Sequence, residues 1–225
     1  MNARSWLMHH SLFVFFNKAE TLDVLIEFFM SDSFINCIQT MAPYLLRYLT
    51  VAILISEKDR NSKMKYLNDV SRFIAEEEYA FKDPITEFIR LLIRTNDFDG
   101  ASKMLEKSIQ IIQRDFFLWY YQEYFKEYAR LVFFKKYCRL YSRIDVNNLA
   151  KLLLMKDEMT TDKIQSWIIN AVRTEEIDAR LDVVKNVVHI NFSDTNAYQL
   201  TVERTRAMNA RTIELVRQLY DRFPK

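Results

Sequence analysis

The sequence predicts a mainly α-helical fold, in which an array of helical repeats is followed by a small mixed subdomain and one further helix. Only 1 glycine and 3 prolines occur among 225 residues, so turns and sheets have little of the material they need. Half of the residues are hydrophobic (50%), and most recur every three or four positions, as in helices that bury one face. Residues 142–193 follow a different pattern. The chain therefore divides into residues 1–141, 142–193 and 194–225.

Residues 1–141 predict a succession of antiparallel helices. Asp83 and Pro84 predict a helix start, because aspartate caps the first amides and proline fits the first helical position. Asp97 predicts a second cap, and the small Gly100 permits close approach of a neighbouring helix. No clean sequence period is present, so the repeats are degenerate. Four earlier segments have helical character: Ser5–Phe16, Leu22–Met30, Pro43–Ile55 and Lys63–Glu78.

A long aromatic helix is predicted over Asp115–Tyr141, with its rings packed in the core. Five basic residues fall in or just after it, and we interpret them as a solvated face rather than a track for RNA. These residues are Lys126, Arg130, Lys135, Arg139 and Arg143.

Residues 142–193 predict a winged helix, because two helices joined by a turn are followed by two short strands. The helices are predicted over Val146–Leu153 and Thr161–Val172. Ile177–Val183 alternates apolar and polar residues, which indicates a strand. Val184–Val187 is typical of a tight turn, since asparagine tolerates positive φ, and Val188–Ile190 begins the return strand.

Residues 194–225 predict a charged helix with one apolar stripe. Ile213, Val216, Tyr220 and Phe223 follow the three–four–three spacing of a coiled coil. We expect this stripe to pack against a helix of another protein, with packing on its own domain as the alternative.

The composition argues against an enzyme. A single glycine excludes loops that cradle phosphates, which need several. His9 and His10 are adjacent on a helix, so their side chains diverge, and Cys37 and Cys138 have no metal-ligand spacing. We predict no catalytic, cofactor or metal site. The two cysteines fit buried free thiols in a reducing compartment, and no apolar run is long enough for a membrane span.

Winged helices bind nucleic acid or protein, and the charge balance here favours protein. The net charge is only +2, and the second helix of the turn carries acids as well as bases. The first strand should lie at a sheet edge, where its backbone groups seek a partner strand. The predicted interface on this strand comprises Ile177, Asp178, Arg180, Leu181, Asp182 and Val183.

Helical repeats followed by a winged helix are the plan of the PCI domain. The segments RSWLMHHSLFVFFN, YAFKDPITEFI, NDFDGASKML and ARLVFFKKYCRL closely resemble the E-subunit family of eukaryotic translation initiation factor 3. So do LAKLL, WIINAVR and ARLD of the winged helix. The resemblance covers nearly the whole chain from Arg4. Family members carry further helical repeats before the region that matches Arg4. The resemblance therefore implies that Trp6, Phe13 and Phe16 lack the preceding repeat that should cover them.

The resemblance implies a non-catalytic scaffold without a cofactor, acting in the cytoplasm. It implies assembly with the c, d and l subunits of initiation factor 3, through winged-helix sheets and C-terminal helices. The complex acts on the small ribosomal subunit and mRNA, with any RNA contact of this chain weak or indirect. The alternatives are a PCI subunit of the proteasome lid or COP9 signalosome, and a winged-helix module that binds nucleic acid.

Overall fold

A computed structural model describes residues 2–18, 21–56, 60–77, 79, 81–155, 160–183, 185–190 and 197–222. Within these residues the chain forms eleven α-helices and one three-stranded sheet, which confirms the predicted fold class. The helices preceding the sheet are α1 (Asn2–Phe15), α2 (Leu22–Met30), α3 (Asp32–Met41), α4 (Leu45–Ile55), α5 (Arg60–Glu76), α6 (Pro84–Arg90), α7 (Phe98–Ile112) and α8 (Gln122–Cys138). The remaining elements are β1 (Arg143–Asp145), α9 (Val146–Leu152), α10 (Thr161–Thr174), β2 (Ala179–Asp182), β3 (Val187–Ile190) and α11 (Ala197–Arg222).

The chain separates into two compact units, residues 1–190 and 191–225. The first unit contains both the helical array and the winged helix, and the second contains α11. Helix α3 was not expected from the sequence, whereas α2 has the predicted bounds.

Helix α4 is the centre of the array, because it contacts α2, α5, α6 and α8. Its sequence, LLRYLTVAILI, is apolar around almost the whole circumference, and nine of its residues are buried. A helix that is hydrophobic on all sides is stable only where other helices surround it. Two polar side chains on its first turns, Arg47 and Tyr48, bond to carboxylates from later in the chain.

A polar cluster therefore joins α4 to two distant helix starts. Arg47 bonds Asp83 at 2.5 Å and Asp115 at 3.4 Å, and the Tyr48 hydroxyl donates to Asp115 at 3.1 Å. Burial and the Asp115 carboxylate raise the pKa of Tyr48 to about 12. Asp83 also caps α6 by accepting the Ile85 amide, as the sequence predicted. One guanidinium thus neutralises two buried carboxylates and fixes where the chain turns.

The predicted helix over Asp115–Tyr141 is wrong in its first quarter, residues 115–121. The Asp115 carboxylate accepts the Phe117 amide, which closes a turn instead of continuing a helix. A single 3₁₀ turn follows over Trp119–Tyr121, and α8 begins only at Gln122. The Tyr121 hydroxyl anchors this turn by donating to the Phe16 carbonyl at 3.1 Å. The side chain of Asp115 overrides the helical propensity of the residues around it.

The turn into α7 depends on the single glycine. Asp97 caps α7 by accepting the Gly100 amide, as the sequence predicted. A Cβ at Gly100 would lie 2.4 Å from the Asp97 carboxylate and 3.2 Å from the Leu91 side chain. Glycine is therefore required here to leave room for the capping carboxylate as well as for the preceding helix.

Helix α8 joins the array to the winged helix through Arg130, whose side chain is only 1% exposed. Its Nε donates to the Leu153 carbonyl and its Nη2 to the Leu154 carbonyl, both at 3.0 Å. These carbonyls lie at the C-terminal end of α9, where a cation offsets the unpaired acceptors of a helix end. Leu154 has a φ of 56°, so the bond to its carbonyl also stabilises a left-handed residue that is not glycine.

A second bond extends this joint to α10. The Glu127 carboxylate, one turn before Arg130, lies 3.6 Å from the guanidinium and accepts the Trp167 indole at 3.0 Å. The interpretation of the basic stripe as solvated is therefore wrong for Arg130. It is also wrong for Lys135, which forms a shielded ion pair with Glu175. Arg139 and Arg143 are exposed, as expected.

We predict that Arg130→Met lowers the free energy of unfolding by about 2–4 kcal/mol, because it leaves two carbonyls without their donor and Glu127 without its neighbouring cation. The matched control is Arg139→Met, an exposed position just after the same helix, which should stay within about 0.5 kcal/mol of the parent. Urea denaturation followed by circular dichroism measures both. Equal midpoints for the two variants would contradict the role given to Arg130.

Candidate protein-interaction site

The winged helix presents an open strand edge. Its sheet is antiparallel in the order β1–β3–β2, so β2 lies at one edge of the described sheet. A sheet of three short strands leaves the outer amides and carbonyls of β2 available to another strand. The sequence predicted a strand here over Ile177–Val183, but β2 covers only Ala179–Asp182.

The shorter strand has a local cause at each end. Glu176 takes a φ of 53° where the chain leaves α10, and the Ile177 amide bonds back to Val172. At the other end the Asp182 carboxylate accepts the Lys185 amide at 3.2 Å, which starts the turn. Ile177 and Val183 therefore flank the strand rather than belong to it.

The turn between β2 and β3 has the predicted character. Asn186 has a φ of 52°, which asparagine tolerates better than most residues. Gln165 of α10 donates to the Asn186 side chain at 2.7 Å, and the Asn186 carbonyl accepts the Val146 amide at 3.0 Å. Gln165 thus holds the wing against its own domain.

Strand register brings three basic side chains to one level of the sheet. His189 on the central strand pairs with Arg143 on β1 and with Arg180 on β2, and all three are exposed. The next level pairs Ile144, Val188 and Leu181, which face inwards. The sequence did not reveal this row, because its members are spread over residues 143–189 and β1 is only three residues long.

A shallow apolar cleft lies beneath α10 beside β2. It has a volume of about 190 Å³. Its lining includes Ile168, Ile169 and Val172 from α10, Ala179 and Leu181 from β2, and Arg173 and Val188. Ile169 remains 40% exposed. The inner face of β2 is thus only partly covered by its own domain.

An ion pair fixes the end of α10, from which β2 follows. Lys135 on α8 contacts Glu175, the residue that ends α10, and the two side chains are only 14% and 10% exposed. A charged pair in such a position attracts strongly because little water screens it. Helix α8 therefore holds both ends of the helix–turn–helix, through Arg130 at α9 and Lys135 at α10.

The predicted edge residues divide by face. Ile177 and Leu181 are half-buried against the core, whereas Asp178, Arg180 and Val183 are exposed and Asp182 is half-buried at the turn. The structure thus brings them to one edge. Their role in an interface remains a prediction.

Helix α11, described by itself, is 26 residues long. Ile213 and Val216 of the predicted stripe are 49% and 44% exposed, and so are large parts of Val202, Met208 and Leu215. Tyr220 falls within α11, and Phe223 lies outside the described residues. The apolar surface is therefore broader than the stripe predicted from the sequence.

The far end of the array carries an aromatic cleft of about 490 Å³, formed by α1 and the turn before α8. Trp6 and Phe13 are more than half exposed, as the resemblance implied. Phe16 is buried instead, because Tyr48, Phe117 and Tyr121 pack around it.

The described residues hold no group of three or more histidine, cysteine, aspartate or glutamate side chains placed to bind a metal ion. Among the described helices, none combines the length and apolar character needed to cross a membrane. Cys37 and Cys138 are both buried thiols, and burial raises the pKa of Cys138 to about 12.

Comparison with known proteins matches the PCI domain over residues 102–192, which include α8 and the whole winged helix. The relatives found are named as the E subunit of eukaryotic translation initiation factor 3. The one from Sclerotinia sclerotiorum is 38% identical over 216 residues, which are 94% of this chain and 47% of the relative. Those from Botryotinia fuckeliana and Pyricularia oryzae are 36% and 34% identical, over 94% and 93% of this chain and 47% of each relative. The chain spans about half the length of these curated relatives.

We predict that Lys135→Met and Glu175→Leu each lower the free energy of unfolding by about 2–4 kcal/mol, because each leaves a shielded charge without its partner. The double variant should be more stable than either single variant, since both charges are then gone. Urea denaturation of all four proteins forms a double-mutant cycle. Additive losses would show that the two side chains do not act as a pair.

Proposed function

The chain belongs to the PCI-domain family formed by the E subunit of eukaryotic translation initiation factor 3, and from this membership we propose that it is a non-catalytic scaffold subunit of the initiation factor 3 complex. The sequence identity with these relatives extends over the helical array as well as the winged helix. The compartment we propose is the cytoplasm, where initiation takes place.

The open edge of β2 is the observation that carries the proposal. Backbone groups at a sheet edge bind a strand of another protein, and the side chains on either side set its identity. The edge is backed by a partly exposed apolar cleft, and α8 holds it in a fixed position through Arg130 and Lys135. A rigid edge suits a scaffold, because docking then costs little ordering entropy.

Helix α11 supplies the second proposed contact. Its 26 residues extend about 39 Å, and its exposed apolar side chains suit a bundle with helices of neighbouring subunits. Ile213 and Val216 would lie in that bundle. Tyr220 and Phe223 continue the same spacing and remain sequence predictions.

The neighbours we propose are the c, d and l subunits, from the family resemblance. Through them the complex would support recruitment of the small ribosomal subunit and mRNA.

The test is affinity purification of the tagged chain from its own cells, with mass spectrometry of the retained proteins. We expect initiation factor 3 subunits and small-subunit ribosomal proteins. Recovery of proteasome-lid or signalosome subunits would move the chain to another PCI complex. Recovery of RNA that survives removal of all protein partners would favour a nucleic-acid-binding module.

We predict that Leu181→Pro detaches the chain from its PCI neighbour, because proline lacks an amide hydrogen and disrupts the β2 edge. Leu181→Val keeps strand geometry and should retain the neighbour. Circular dichroism of both purified variants establishes that they are folded. Undiminished co-purification by a folded Leu181→Pro variant would refute edge pairing.

A further inference from the structure

On the exposed face of the sheet, the residue at the open edge is a positively charged one, Arg180. The row of Arg143, His189 and Arg180 crosses all three strands at one level. Adjacent strands lie about 4.8 Å apart, so a strand added beside β2 would extend this row directly from Arg180. The residue that it placed there would be a direct cross-strand neighbour of the guanidinium, on the side opposite His189.

Two acidic groups, two residues beyond the basic row on β1 and β2, already have local functions. Asp145 caps α9 by accepting the Asn147 amide at 2.8 Å. Asp182 accepts the Lys185 amide and lies 3.9 Å from the Lys185 ammonium. Their charges are directed to a helix start and a turn, so Arg180 sets the charge presented halfway along β2.

The inner face of the same edge sets a second requirement. Ala179 and Leu181 point towards the cleft below α10, where Ile169 is partly exposed. Side chains of an added strand alternate between faces, as those of β2 do. Those pointing inwards would cover this cleft and must be apolar to bury it favourably.

We propose that β2 selects a strand of another protein that places a carboxylate directly opposite Arg180 and apolar side chains on both sides of that carboxylate, towards the α10 cleft. This rests on the proposed function and names the chemistry of the partner at the same edge. Opposite charges at directly paired positions stabilise a strand pair, and like charges destabilise it.

The same chemistry disfavours a second copy of this chain in the central register. An antiparallel pair of two β2 strands centred on Arg180 would place the two guanidinium groups opposite each other. It would also place Asp178 opposite Asp182, which adds a like-charge pair on each side. An acidic partner strand meets neither penalty.

The experiment compares four tagged variants purified with their complex: Arg180→Glu, Arg180→Lys, Arg143→Glu and Leu181→Pro. Arg180→Glu should weaken retention of the neighbouring protein about tenfold, because attraction becomes repulsion. Arg180→Lys should retain it. Arg143→Glu is the matched control, since it reverses a charge in the same row two strands away from the edge, and it should also retain the neighbour.

The outcomes separate this inference from the function it rests on. Loss with Leu181→Pro but full retention with Arg180→Glu would overturn the acidic partner and leave edge pairing intact. Retention with both, in folded proteins, would overturn the edge itself. Equal loss with Arg143→Glu would show a general charge effect and would also overturn the inference.

A charge swap identifies the partner residue. Cross-linking of the purified complex locates the strand that lies beside β2, and its central acidic residue is changed to lysine. We expect this change to restore binding to the Arg180→Glu variant. Failure to restore it, or sedimentation of the purified chain as a dimer that Arg180→Glu dissociates, would overturn the assignment to a carboxylate of another protein.

Discussion

One buried guanidinium, that of Arg130, holds the two parts of the first compact unit together. It comes from the last helix of the array and bonds the end of the first helix of the winged helix. A charge with 1% exposure is costly to bury, and here three groups from two elements offset that cost. Removing the charge would leave the two carbonyls without their donor and Glu127 without its cation. The orientation of the small sheet therefore depends on a polar contact as well as on apolar packing.

The scarcity of glycine explains why such contacts are needed. Four described residues other than glycine have positive φ, and each lies where a helix or strand ends: Asn96, Leu154, Glu176 and Asn186. Asparagine adopts this conformation readily, but leucine and glutamate do so at a cost of about 1–2 kcal/mol. Leu154 is stabilised by Arg130. Glu176 follows Glu175, which is fixed by Lys135. Helix α8 thus supports both strained helix ends of the winged helix.

Local chemistry made much of the fold predictable from the sequence. Asp83 and Asp97 indicated two helix starts, and Asn186 indicated the turn of the wing, because each side chain acts within a few residues. Non-local bonds produced the errors. Asp115 begins a turn because Arg47 and Tyr48, almost seventy residues earlier, fix its carboxylate. In the sequence Arg130 cannot be told from a solvated basic residue of a helix, because its partners at the end of α9 are more than twenty residues away. The row of Arg143, His189 and Arg180 forms only when β1 and β2 pair with β3, and the sequence does not give that register.

A rigid joint suits so small a sheet to the docking role that we propose for it. A two- or three-stranded sheet has little stability of its own, and an added strand would otherwise have to order it. Here α10 partly covers its inner face, Gln165 holds the wing, and α8 fixes both helices. In the proposed docking, the edge is therefore formed before a partner arrives, and specificity falls to the few side chains that β2 presents. Among these, Arg180 carries the charge at the centre of the strand, while Leu181 and Ala179 set the apolar face beside it. Backbone bonds attract any strand, so these side chains are the means by which the edge can distinguish one neighbour from another.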